Sequence, residues 1–216
     1  MRLWEGRLKT ALLLAPLLYL LVAYSPSAFF FIFVAVGIAV AQFEFYGLFF
    51  RGRPSPSILV GILLGFLVVF GFYDRASSGA FSTYPSGLLA LTVMSVLIYE
   101  LFFHAEIQNS LAEASVILLG IFYVAWLLGY LVLLRGLSNG RLFVLFLFLT
   151  TWSGDAGAYY TGKSLGKRKL YPSVSPNKTV EGALGGWVVS ILIALVSKII
   201  FLPMLSTTDA ICLGAL

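Results

Sequence analysis

Asp155 is the residue with the most chemical promise in this sequence, because it stands inside an apolar run, in Thr150-Thr151-Trp152-Ser153-Gly154-Asp155-Ala156-Gly157-Ala158-Tyr159-Tyr160. A carboxylate within a membrane-spanning segment is costly, so it normally faces a partner or a watery cavity and marks function. Gly154 and Gly157 beside it offer small faces for close helix packing or ligand approach. Downstream, Lys167, Arg168 and Lys169 precede Ser175-Pro176-Asn177-Lys178-Thr179-Val180-Glu181-Gly182. Serine is a favoured helix N-cap and proline a favoured first helical residue, so Ser175-Pro176 predicts a helix start there. Lys178 and Thr179 then fall in a first turn whose free N–H groups and positive dipole end suit a phosphate. Magnesium binds through one or two carboxylates together with substrate phosphate oxygens and water. Asp155 near such a helix start therefore predicts a Mg²⁺-and-phosphate site, with an ion pair between Asp155 and Lys163 as the structural alternative.

Glu181 leaves three roles open: a second metal ligand, an ion-pair partner of Lys178, or a first-turn acid that complements the helix dipole. Glu44, in Gln42-Phe43-Glu44-Phe45-Tyr46, is expected to be buried and to hydrogen-bond between helices. His104 and Glu106 are expected at a membrane interface. Cys212, the single cysteine, sits in an apolar run and is expected to be a small buried hydrophobe.

The elements that position these residues follow from composition. Of 216 residues, 60% are apolar and 11% charged. A soluble domain carries about 25% charged residues to cover its surface, so lipid must solvate most of this chain. A spanning helix needs about 20 apolar residues. Hydropathy places spans near Leu8–Tyr24, Ala28–Phe50, Ser57–Tyr73, Gly87–Phe103, Leu111–Leu134, Leu142–Thr161 and Ala183–Leu202, with an eighth beginning near Asp209. The predicted fold is all-α: one polytopic helical bundle over residues 1–216, with 7–8 spans. Residues 162–182 form its one long polar loop, expected to bind phosphate on the cytosolic side. Turn residues such as Ser25-Pro26-Ser27 and Ser138-Asn139-Gly140 punctuate the breaks. The basic stretch Met1–Thr10 also resembles a secretory leader, but the next apolar run follows so closely that an uncleaved first helix is expected.

Short loops rich in Lys and Arg stay in the cytoplasm. With the N-terminus inside, Arg2, Arg7, Lys9, Arg51, Arg53, Lys163, Lys167, Arg168, Lys169 and Lys178 are cytoplasmic, while Arg75, Arg135, Arg141 and Lys198 are not. The opposite orientation inverts that bias. The net charge of +5 is scattered among apolar spans and fits no nucleic-acid-binding motif, so nucleic acid is excluded as a partner.

Gly154-Asp155-Ala156-Gly157-Ala158-Tyr159-Tyr160-Thr161-Gly162, then Gly166-Lys167, then Ser175-Pro176-Asn177-Lys178-Thr179-Val180-Glu181-Gly182 and Gly185-Gly186, resembles the bacterial phosphatidate cytidylyltransferase (CDP-diacylglycerol synthase) family. Weaker agreement extends to Leu8-Lys9-Thr10, Glu44-Phe45-Tyr46 and Gly120-Ile121-Phe122-Tyr123-Val124. The resemblance implies Mg²⁺-dependent transfer of a cytidylyl group from CTP to phosphatidic acid, releasing pyrophosphate, with a second cation as an option. It implies a homodimer among the lipids of the bacterial inner membrane, with its site facing the cytoplasm. By similarity, Asp155 holds metal and acts with Lys178 in catalysis. Lys167, Arg168, Ser175, Lys178, Thr179 and Glu181 are the substrate-binding candidates. Measured against that family, the chain stops before a C-terminal segment bearing further acidic residues. A CTP-dependent polyprenol or phytol kinase, and a non-enzymatic anion-binding transport protein, are the competing expectations.

Overall fold

The computed structural model describes residues 15–50, 56–77, 85–103 and 107–216. The basic N-terminal stretch, Arg51, Arg53, His104 and Glu106 lie outside the described residues. The chain forms two compact units, Met1–Gly140 and Arg141–Leu216.

The first unit contains α1 (Ala15–Tyr24), α2 (Ser27–Phe50), α3 (Pro56–Ser77), α4 (Pro85–Phe103), α5 (Ile107–Gly120), a π-helical segment (Ile121–Trp126) and α6 (Leu127–Gly136). Helices α2 and α3 are each long and apolar enough to span a bilayer, as is the continuous run Ser110–Gly136. The predicted fifth span is therefore one helix, but with a π segment that hydropathy does not reveal, since a single inserted residue leaves the apolar run intact.

Glycine notches key this unit together. A Cβ on Gly61 would lie 2.7 Å from the Tyr46 hydroxyl, and one on Gly65 would run into the Gln42 side chain. Gln42 Nε2 donates to the Tyr46 hydroxyl at 3.0 Å and to the Gly61 carbonyl at 3.3 Å. Tyr46 in turn donates to the Ile117 carbonyl at 3.1 Å. Both side chains are fully buried, where an unmade hydrogen bond would be expensive. The interhelical role expected of Glu44 thus belongs to its neighbours. Glu44 itself is exposed and bonds to no described residue, because it lies on the side of α2 opposite the Gln42–Tyr46 stripe.

The second unit contains α7 (Gly140–Leu165), β1 (Lys169–Tyr171), β2 (Ser175–Thr179), α8 (Val180–Ile200) and α9 (Thr207–Ala215). Asn139, just before α7, adopts φ 61°, a left-handed conformation that asparagine tolerates in turns. Helices α7 and α8 each meet the length and hydropathy of a span. Helix α9 opens with a capping box in which Ser206 Oγ accepts from Asp209 N and Asp209 accepts from Ser206 N. This nine-residue helix is where an eighth span was expected to begin. Cys212 lies on its exposed side, not in the buried setting expected. Five described helices are long and apolar enough to cross a membrane, and two shorter apolar ones, Ala15–Tyr24 and Gly87–Phe103, accompany them. The protein is an all-α polytopic membrane protein.

Candidate active site

The floor of the candidate site is the crossing of α7 and α8, built by small residues every fourth position on both helices. Gly154, Ala158 and Gly162 on α7 face Gly182, Gly186 and Ser190 on α8. A Cβ added to Gly182 would lie 2.9 Å from the Ala158 carbonyl and 3.0 Å from Gly162 Cα. One added to Gly186 would lie 2.8 Å from both the Gly154 carbonyl and the Ala158 Cβ. Backbones approach this closely only where side chains are small. Ser190 fastens the deep end by donating to the Thr150 carbonyl at 3.3 Å.

Asp155 follows Gly154 on α7 and borders this seam. At 100° per residue it lies within about 20° of the helix line through Gly162, two turns away. The carboxylate is exposed and makes no hydrogen bond or ion pair with a described residue. The Asp155–Lys163 pair offered as an alternative does not form; the Lys163 ammonium instead sits 6.0 Å from the Tyr159 ring centre. Helix α7 continues past the expected span end at Thr161 to Leu165, so Asp155 stands ten residues, nearly three turns, from that end.

The polar loop is more ordered than the sequence suggested. Strands β1 and β2 pair antiparallel, Lys169 opposite Thr179 and Tyr171 opposite Ser175. Ser175 and Pro176 are therefore strand residues, and the predicted helix start there is corrected: α8 begins at Val180 with Thr179 as its N-cap. Local Ser-Pro preference gave way to strand pairing, which satisfies backbone groups at both ends of the hairpin. Thr179 is buried, and its Oγ1 accepts from Gly182 N at 3.1 Å. Val180 N donates to the Arg168 carbonyl at 2.9 Å. The Val180 and Gly182 amides of the first turn are thus already satisfied, which removes most of the backbone cradle expected to seat a phosphate. Lys178 lies in β2, ahead of that turn.

Glu181 stands in the first turn of α8, as one of its three expected roles required, and its contacts are backbone amides. Its carboxylate accepts from Lys167 N at 3.0 Å and from Arg168 N at 3.2 Å. This clamp bends the chain leaving α7 back over the start of α8. An acid at the second position of a helix that follows a basic loop was the available signal, but its partner amides lie 13 and 14 residues away and could not be named without the fold.

The arrangement presents two kinds of group. Asp155 supplies one carboxylate that pairs with no described residue. About 10 Å along α7, at the level of Gly162, the hairpin base begins, with Lys167, Arg168 and Lys178 exposed. A Cβ on Gly162 would lie 3.0 Å from Thr179 Oγ1, which fixes the hairpin base against α7. Ser175 is half-buried in β2. Among the described residues, no three Asp, Glu, His or Cys side chains gather at one point.

A sequence model of the cytidylyltransferase family matches residues 5–216. A phosphatidate cytidylyltransferase of Bacillus subtilis (strain 168) is 30% identical over 199 residues, covering 91% of this chain and 72% of that protein. A Staphylococcus saprophyticus phosphatidate cytidylyltransferase is 38% identical over 112 residues, 52% of this chain and 42% of the relative. One from Staphylococcus epidermidis (strain RP62A) is 37% identical over 111 residues, with 51% and 42% covered. Through a family match that runs nearly end to end, the chain belongs to the cytidylyltransferase family.

Proposed function

We propose that this protein transfers the cytidylyl group of CTP to phosphatidic acid, giving CDP-diacylglycerol and pyrophosphate for phospholipid synthesis. The observation that carries this reading is Asp155: a carboxylate in the middle of a span that pairs with no described residue, on the same side of α7 as the hairpin base with its three exposed cations. A membrane helix does not carry a bare carboxylate without use. The family and the names of the relatives give that use its substrates.

The separation along α7 fits a ligand with several phosphates better than a single phosphate. Lys167, Arg168 and Lys178 bind and neutralise phosphate oxygens at the hairpin base, with Thr179 lining it, while Ser175 lies at the tip end of β2 opposite Tyr171. Arg168 brings a planar fork suited to two phosphate oxygens at once, while the lysines act as mobile point charges. Glu181 keeps the Lys167 and Arg168 backbone in place. The packed α7–α8 seam holds Asp155 at a fixed depth.

Magnesium fits this donor set in one mode only. Asp155 gives one carboxylate, and the Glu181 carboxylate is engaged by two amides, so the remaining ligands of an ion at Asp155 are phosphate oxygens and water, an arrangement magnesium accepts. When bound, the ion draws charge from the phosphates and favours displacement at phosphorus. The chain's own contribution is positioning and charge: in-line approach of the lipid phosphate oxygen to the α-phosphate of CTP, with the departing pyrophosphate held by the cations. The positive-inside bias supports a site on the cytoplasmic side of the bacterial inner membrane, and the family resemblance supports a homodimer.

The direct experiment is to purify the full-length gene product and supply CTP labelled at the α-phosphate, Mg²⁺ and phosphatidic acid. Label in CDP-diacylglycerol with equimolar pyrophosphate is the expected result. Release of CDP, with the γ-phosphate passed to a lipid, would make the protein a kinase instead.

A further inference from the structure

The hairpin joining α7 to α8 carries an apolar tip that no described residue covers. Leu170, Tyr171 and Val174 are 49%, 60% and 74% exposed, and Pro172 and Ser173 between them are exposed too. Three consecutive cations, Lys167, Arg168 and Lys169, lead into this tip, and Lys178 lies on the returning strand. The hairpin is also stiff. It is held by the β1–β2 pairing, by the Glu181 carboxylate on the Lys167 and Arg168 amides, and by Val180 N on the Arg168 carbonyl.

The flanking helices fix where this element lies. Both α7 and α8 qualify as spans, so the hairpin base is at the membrane surface. A five-residue strand such as β2 reaches about 17 Å, whereas the headgroup layer on each side of a bilayer is about 5–8 Å thick. A hairpin standing upright would carry its tip through that layer and hold Leu170, Tyr171 and Val174 in water. A hairpin lying along the surface sets the face that carries Tyr171, together with the turn residue Val174, in the headgroup region. Tyrosine is enriched at that depth, and clustered cations beside a span attract anionic lipid.

We propose that the Lys169–Thr179 hairpin lies flat on the cytoplasmic-side headgroup layer, with Tyr171 and Val174 immersed and Lys169, on the same strand face as Tyr171, among the phosphates of acidic lipids. The flat placement leaves Lys167, Arg168 and Lys178 at the hairpin base, beside Asp155's side of α7. It makes the hairpin a surface-seated collar at the mouth of the site. The inference rests on α7 and α8 spanning the membrane, and not on the nucleotide chemistry proposed above.

The test is nitroxide depth measurement on the full chain in liposomes. With Cys212→Ser as background, Val174→Cys and, separately, Tyr171→Cys are spin-labelled in phosphatidylglycerol-containing and in pure phosphatidylcholine vesicles. Relaxation by oxygen exceeding that by a water-soluble nickel chelate at both positions, and falling in phosphatidylcholine or on adding Lys169→Gln, is the expected result. Chelate dominating at both positions would overturn the proposal by placing the tip in water. Shielding from both reagents would overturn it equally, by showing that protein covers the tip. Equal immersion in both lipids would overturn the part assigned to acidic headgroups. Two label sites keep the outcome readable if one substitution disturbs the strand pairing.

Discussion

Glu181 and Arg168 are thirteen residues apart in sequence, yet the carboxylate of one accepts the backbone N–H of the other at 3.2 Å. That bond, with its companion to Lys167, turns a basic stretch into a fixed element. Glu181→Gln keeps the shape of the side chain but weakens acceptance from both amides, since charged acceptors bind more strongly than neutral ones. The expected outcome is a raised KM for CTP with a smaller change in kcat, because the cations are mispositioned while Asp155 is untouched. Steady-state kinetics at saturating phosphatidic acid checks it. A fall in kcat alone would assign Glu181 to the reacting groups.

Thr179 caps α8 through its hydroxyl, and the residue is buried. Thr179→Ala removes the cap and is expected to cost about 1 kcal/mol, seen as a lower Tm in detergent. Thr179→Ser should restore most of it. If Ala and Ser variants melt alike, the hydroxyl is not the cap.

Gly186 has no room for a side chain between the Gly154 carbonyl and Ala158. Gly186→Ala is expected to separate α7 from α8 at a cost of about 1–3 kcal/mol. Turnover should fall as well, since Asp155 neighbours that contact. Gly37, mid-helix in α2 where a Cβ would meet nothing within 4 Å, supplies the control: Gly37→Ala should not lower Tm and should leave turnover unchanged.

Tyr46 gives a contrasting case. Tyr46→Phe leaves the Ile117 carbonyl without its donor and takes from Gln42 Nε2 one of its two acceptors. A loss of about 1–3 kcal/mol in stability is expected, with KM for CTP unchanged in the fraction that remains folded. A selective effect on KM would give this buried network a part in substrate binding.

Hydropathy alone made the helices legible, because a bilayer demands long apolar runs and tolerates little else. The approach of α7 and α8 was legible in outline from Gly154 and Gly157, and its other half is visible once Gly182 and Gly186 are set opposite. Three features were not. The π segment at Ile121–Trp126 changes hydrogen bonding without changing composition. The hairpin depends on pairing between Lys169–Tyr171 and Ser175–Thr179, and strands this short and polar carry no periodic signal. The start of α8 was misplaced by four residues because Ser175-Pro176 satisfies local capping preference, while the true cap, Thr179, is chosen by its contact with Gly182. The Arg168 carbonyl and the Thr179 hydroxyl engage first-turn amides, so the proposed phosphate binding falls to side-chain cations instead of the helix end.

The central claim is that Asp155, alone within its span, serves the reaction at the hairpin base. It is tested most directly by CDP-diacylglycerol formation in Asp155→Asn, a nearly isosteric change, measured across a Mg²⁺ titration beside the wild-type full-length protein. Turnover should fall on the order of a hundredfold or more, not recovered at high Mg²⁺, with Tm preserved. Wild-type turnover in Asp155→Asn would contradict it.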